Sequence, residues 1–289
     1  MNKKQSYATL LVILVTQVNV SQAKVPSNGS MDSPNILFIF SDDHAWQSIG
    51  AYGGRLKEVA HTPNIDKLAS EGMLFRKCFV ANALCGPSRA AVLTGKYGHR
   101  NGVTWNRNTN FDGSQQTFPK MMRQNGYQTA IIGKWHLASV PTGFDYFDVM
   151  KGQGRYYNPF LQRGNAEGLQ DTRTVVGYNS DIVGDLTIEW LKNGRDKSKP
   201  FMLMSQFKAT HHGFCPGPEE YDLYEDVHIP EPDNLFDDFS YRGTAIREQT
   251  LTLYKNLSHS ILVGDPGELG ELNPDQRKAW DASVSYTHL

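Results

Sequence analysis

Three cysteines in 289 residues leave no basis for a disulfide framework. A formal net charge of −1 supplies no whole-molecule field that would recruit nucleic acid or an anionic membrane. Attraction for an anionic ligand therefore has to be local. Internal repeats and low-complexity tracts are missing. So are long hydrophobic runs: Ala8–Val15, near the N-terminus, is too short to span a bilayer, which excludes stable membrane insertion through it.

What is present begins with an export signal. Lys3 and Lys4 form a positive n-region, Ala8–Val15 an apolar h-region, and Ser21-Gln22-Ala23 a small-x-small cleavage site. Residues 1–23 are expected to be a signal peptide cut near Ala23, giving a secreted or periplasmic protein. Residues 24–34 are polar, with Pro and Gly, and read as a linker. Residues 35–289 then form one α/β unit.

Within that unit, continuous apolar runs alternate with helical segments. Asn35–Phe40 reads as a central parallel strand covered on both faces, Phe201–Phe207 as another apolar strand, and Tyr127–Ile132 as another strand. Phe75–Val80 is expected to be a further strand. Helices are expected at Pro63–Glu71, with Thr62 as N-cap, Ile65, Leu68 and Ala69 facing inward and Gly72 as the stop; at Thr117–Gln124; at Thr174–Leu191; and at Leu272–Ala282, capped by Asn273. This order predicts a mostly parallel central sheet flanked by helices. Residues 215–270 read as long loops over the sheet edge. Nothing closes the last helix, so the chain reads as C-terminally truncated, with its last few residues suspected to be non-native.

Polar residues recur immediately after the strands, where ligands sit in open α/β sheets. Asp42 and Asp43 follow the first strand, and paired carboxylates there suit a hard cation, calcium or magnesium. Lys134 and His136 follow the 127–132 strand; Lys208, His211 and His212 follow the 201–207 strand. Leu84-Cys85-Gly86-Pro87-Ser88-Arg89 places a reactive side chain at a helix N-terminus, where free backbone N–H groups can receive an anion. Arg89 adds a planar, permanently charged fork. Each residue alone has a plainer reading: a core cysteine, an Asx turn, a solvated lysine, a structural histidine. Together they supply a cation, a nucleophile, a clamp and proton-transfer groups, the inventory for hydrolysing an ester of a strong oxyacid.

The string Cys-x-Pro-Ser-Arg at 85–89 resembles the signature of the sulfatase family, and the resemblance runs from about Asn35 to His212. It implies an alkaline-phosphatase-like fold, a Cys85 oxidised to formylglycine by a formylglycine-generating or sulfatase-maturating enzyme, and a sulfated carbohydrate as substrate. Asp42, Asp43 and residue 85 match calcium ligands. Arg89 matches the residue that holds the aldehyde and metal site. Lys134 matches the sulfate-binding lysine, and His136 the histidine near the formylglycine hydroxyl. His211 is the better match to the histidine assisting the leaving group, with His212 the other candidate; both are expected at the substrate. In such enzymes one hydroxyl of the hydrated aldehyde attacks sulfur, and the second expels sulfate. A serine at that position could not eliminate and would remain sulfated.

One departure matters for the chemistry. The family's later Asp-Asn or Asp-His pair and second lysine have no counterpart between His212 and Leu289. The resemblance therefore implies weak cation binding and slow or absent turnover for the 289-residue chain. Gly152–Pro159, rich in Tyr and Arg, resembles carbohydrate sulfatases, with the N-acetylglucosamine-6-sulfatase-like group favoured. Two other readings stand: a phosphodiesterase or phosphonate monoester hydrolase of the same superfamily, and a non-catalytic sulfated-glycan binder.

Overall fold

The computed structural model describes residues 33–107, 109–224, 226–251 and 272–284. The signal peptide expected at 1–23 and most of the linker lie outside them. Strands β1 (Ile36–Phe40), β2 (Gln128–Lys134), β3 (Tyr146–Met150), β4 (Phe160–Asn165), β5 (Gly168–Thr174) and β6 (Phe201–Gln206) form one sheet, ordered β1-β6-β2-β3-β4-β5. The first three pairings across that order are parallel, and β3-β4 and β4-β5 are antiparallel. The helices are α1 (Pro63–Glu71), α2 (Cys85–Thr94), α3 (Gly98–Asn101), α4 (Phe118–Gln124), α5 (Asn179–Glu189), α6 (Thr244–Arg247) and α7 (Pro274–Val284).

The apolar runs of β2 and β6 bury side chains on both faces. Ile131, Met202 and Met204 enter one core with Ala90 and Leu93 of α2 and with Phe147 and Val149 of β3. The intervening Ala130, Ile132, Phe201 and Leu203 enter a second core with Ile182 and Val183 of α5 and Trp190. This alternation between two covered faces explains why both strands read as unbroken hydrophobic runs. Each such side chain contributes about 1.5–3 kcal/mol on burial.

Four expectations are corrected. Strand β1 is not covered on both faces: it lies at the sheet edge, with Leu37 and Ile39 exposed. Phe75–Val80 is not a strand: the Phe75 carbonyl accepts from the Tyr52 hydroxyl at 3.0 Å instead of joining a ladder, and Phe79 is 88% exposed. Helix α1 does not bury its apolar side, since Leu68 is 65% exposed and Ile65 is also exposed. Polar contacts seat it instead: Asp66 Oδ1 accepts from the Ala51 N–H at 2.6 Å, and Thr62 Oγ1 accepts from the Gly50 N–H at 2.9 Å. The helix expected from Thr174 starts at Asn179, because Thr174 is still paired with Phe160 in the β4–β5 hairpin. In the C-terminal helix, Asn273 Oδ1 accepts from the Gln276 N–H at 2.9 Å, and Gln276 Oε1 accepts from the Asn273 N–H at 3.0 Å. That is a capping box, built on the expected N-cap. Cys78, Cys85 and Cys215 form no disulfide. Residues 215–251 are mainly turns; 252–271 and 285–289 lie outside the described residues.

Candidate active site

Strand register sets the site. Phe40 and Gly133 both pair with Gln206, so β1, β6 and β2 end level with one another. The next residues of each strand meet at one edge of the sheet. Gly133 allows the close approach: its φ is +101°, and a Cβ there would lie 1.9 Å from the Gln206 carbonyl oxygen. Lys134 reaches across the end of β6 and pairs with Asp42, both side chains being buried. The backbone of Asp42 is clamped to the segment after β6. Its N–H donates to Ala209 O at 3.0 Å, and its carbonyl accepts from the Thr210 N–H at 2.7 Å.

Arg89 comes from α2 and joins three segments. It donates to Asp42 Oδ2 at 3.1 Å, to the Lys134 carbonyl at 2.7 Å and to Gln206 Oε1. Both terminal nitrogens of its fork thus bond the protein, while its buried Nε has no hydrogen-bond partner. The anion dock expected at the N-terminus of α2 is also largely occupied. The Gly86 N–H donates to Asn106 Oδ1 at 3.1 Å, Pro87 has no N–H, and the Ser88 N–H donates to Leu84 O at 2.8 Å. Side-chain cations, rather than helix amides, have to attract an anion here.

Cys85 lies at the first position of α2, half-buried, beside a cavity of about 420 Å³ also lined by Asp42, Asp43, His44 and Arg89. Asn106 Nδ2 donates to its Sγ at 3.3 Å, and Gln153 Nε2 approaches it at 3.8 Å. His211 is buried. Its Nε2 stands 3.9 Å from Asp43 Oδ2, and its carbonyl accepts from the Tyr156 hydroxyl at 2.6 Å. His212 is exposed; its carbonyl is 3.0 Å from His211 Nδ1. His136 is buried behind Lys134 in a left-handed backbone conformation, with φ of 49°. Asp43 shares that conformation, which Asp tolerates better than most residues.

The charges set the titration. Burial would raise the Asp42 carboxyl, but Lys134 and Arg89 outweigh it and hold it below its usual range. Burial drives Lys134 down to about 8, against the pull of Asp42. Burial, with Lys134 and Arg89 adding to it, pushes His136 down to about 4. Burial raises the Cys85 thiol, but His211 and Lys134 bring it net below the ordinary cysteine value.

A hard cation would find part of a shell. Asp42 and Asp43 offer carboxylates beside residue 85, but Asp42 Oδ2 already serves Lys134 and Arg89. Among the described residues no group of three or more His, Cys, Asp or Glu is arranged to hold a metal. These donors fall short of the six to eight oxygens calcium takes.

Contacts thus join Asp42, Asp43, Cys85, Arg89, Lys134 and His211; His136 is buried nearby, Lys208 lies over the Tyr156 ring, and His212 is exposed. The cluster adds Asn106, Gln206 and the amide of Gln153, which carry no spacing signature. Glycines on both sides of Gln153 were the one available hint.

Residues 34–287 match the family model described as Sulfatase. The chain is 43% identical over 261 residues to an N-acetylglucosamine-6-O-sulfatase of Bacteroides thetaiotaomicron, spanning 89% of this chain and 44% of that protein. It is 39% identical over 218 residues to human N-acetylgalactosamine-6-sulfatase, spanning 64% and 41% respectively. A solved structure in complex with its substrate D-glucosamine-2-N,6-O-disulfate matches with a TM-score of 0.75 at 41% identity, covering 87% of this chain and 52% of that one. The chain therefore spans less than half the length of these two curated relatives. Its strand-end site, its family match and its alkaline-phosphatase-like mixed sheet agree: the chain belongs to the sulfatase family.

Proposed function

We propose that this protein hydrolyses sulfate esters on sulfated glycans, with a 6-O-sulfated amino sugar as the favoured substrate. One observation carries the reading: Lys134, Asp42 and Arg89 form a buried charged cluster against Cys85, at the carboxyl ends of β1, β6 and β2. The relatives named above act on, or bind, 6-sulfated amino sugars, which supports the substrate class.

Sulfatases generally depend on formylglycine and a metal, and we propose both here, with Cys85 as the residue oxidised by a maturating enzyme. Formylglycine at 85 supplies a hydrate able to attack sulfur. Calcium, or magnesium in its place, is the cation we assign to Asp42, Asp43 and residue 85.

The chain's own residues then divide the work. The Lys134 ammonium attracts the sulfate oxygens, in a pocket where low dielectric strengthens the attraction. His211, buried and with its carbonyl held by the Tyr156 hydroxyl, is the residue we assign to move a proton to the departing sugar oxygen. His212, exposed beside His211, is the second residue we assign to the sugar. His136, kept neutral by its surroundings, accepts or donates a hydrogen bond near residue 85 without adding charge. Arg89 holds Asp42 and the end of β2 in register. The N-terminal export signal fits a protein meeting glycans outside the cytoplasm, and among the described residues no helix is long and apolar enough to cross a membrane.

The test is sulfate release by the full chain, produced with a formylglycine-generating enzyme and offered a panel of sulfated sugars, with Cys85→Ala as blank. Slow release from a 6-sulfated amino sugar that the blank lacks is expected, the incomplete cation shell limiting the rate. Cleavage of phosphodiesters without sulfate release would replace the reading with the superfamily alternative.

A further inference from the structure

The loop between β3 and β4 carries a carboxamide into this cluster. Gln153 Oε1 accepts from Lys134 Nζ at 2.6 Å, and its Nε2 points at Cys85 Sγ from 3.8 Å. Among the described residues no other side chain bridges Lys134 and residue 85 in this way. The loop is shaped to do it. Gly152 and Gly154 flank Gln153 with φ of 64° and 71°, and a Cβ at 154 would meet Met150 Sδ at 2.6 Å. Only glycine takes that turn without strain. Downstream, the loop is anchored where Tyr156 donates to the His211 carbonyl at 2.6 Å and Asn158 bonds Gly177 and Gln276. Gln153 is thereby fixed relative to both Lys134 and His211.

A lysine ammonium has three donors. Asp42 takes one and Gln153 another, which leaves one for an anion. Without Gln153 the ammonium would be drawn to Asp42 alone, its negative neighbour. A neutral amide holds the ammonium off that carboxylate without cancelling the charge that a sulfate needs; a carboxylate in its place would hold it but cancel the charge. We propose that Gln153 is a positioning residue for the sulfate group: its amide aims the Lys134 ammonium at a ligand beside residue 85. The proposal rests on the sulfatase reading above and deepens it.

The experiment compares the full wild-type chain with Gln153→Ala, Gln153→Met (similar length, no acceptor) and Gln153→Glu. Inorganic sulfate binding is measured by calorimetry on the unmodified chain, and KM and kcat on the aldehyde-bearing chain. Loss of a charge-assisted hydrogen bond is expected to raise the sulfate Kd and KM about tenfold in the Ala and Met variants. The kcat should stay within about twofold, the split expected when a group acts on binding alone. Gln153→Glu should weaken sulfate at least as much, although it keeps the acceptor. Thermal denaturation checks that each variant is folded. An unchanged sulfate Kd in folded Ala and Met variants overturns the proposal, as does a fall in kcat at constant KM. A wild-type chain that neither binds sulfate nor hydrolyses its esters overturns the sulfatase reading, and this proposal with it.

Discussion

Arg89 stands 3.1 Å from Asp42, and the same guanidinium donates to the Lys134 carbonyl and to Gln206. One side chain therefore fastens α2 to the ends of β1, β2 and β6. Its removal would leave the buried Asp42 carboxylate short of a partner, a loss of about 3–5 kcal/mol by analogy with other broken buried pairs. Arg89→Ala should show that loss in denaturant unfolding. Arg89→Lys should recover only a minor part, because a single ammonium cannot serve three acceptors in the plane of a fork.

Lys134 should set the alkaline limit of sulfate binding. Burial lowers it to about 8, so its charge is present below that pH and lost above it. The KM for a sulfate ester should rise as pH passes upward through about 8, while a neutral competitor sugar shows no such rise. A KM that stays flat well above that pH would remove Lys134 from the sulfate contact.

His136 gives an acid-side prediction about stability. Its folded imidazole takes a proton only near 4, whereas the unfolded one does so near 6.5. Between these values the unfolded chain holds more protons, so acidification favours unfolding. Stability from this group should be complete above pH 6.5 and decline as pH falls toward 4. Replacing His136 by Gln should flatten that decline, read by urea unfolding at one pH above this window and one inside it.

Cation binding follows from the donor count. Two carboxylates beside residue 85, one of them shared with Lys134 and Arg89, make an incomplete shell. Calcium titration of the 289-residue chain should give a Kd weaker than about micromolar, the range in which full oxygen shells act as sensors. Tighter binding would show that donors outside the Asp42–Asp43 pair complete the site.

The parts of this fold that were legible in the sequence are the continuous apolar strands, β2 and β6 with two buried faces and β1 with one half-buried. β1, β2 and β6 read as apolar runs, and the chemistry-bearing residues follow directly from where those runs stop. The β4–β5 hairpin was not legible, because Gln162, Arg163, Gln170, Asp171 and Arg173 make it polar at the sheet edge. Phe75–Val80 misled in the other direction: its apolar residues resemble a strand, but pairing depends on a neighbour that no local pattern reveals. Cys85, Arg89, Asp42 and Lys134 could be found through a shared motif and strand-end position. Asn106, Gln153 and Gln206 could not, since an amide takes its meaning from partners brought to it by the fold, as Gln206 does from Arg89.

Whether the side chain at 85 attacks sulfur is the question on which everything else rests, and Cys85→Ser tests it most directly. A serine hydroxyl can accept the sulfuryl group as the alcohol leaves, but it has no second hydroxyl with which to expel sulfate. Incubation of Cys85→Ser with an aryl sulfate should yield a stable sulfated serine, seen by mass spectrometry as a sulfate added to the peptide carrying residue 85. That peptide recovered without added sulfate, although the aldehyde-bearing chain releases sulfate from the same ester, would contradict the attack.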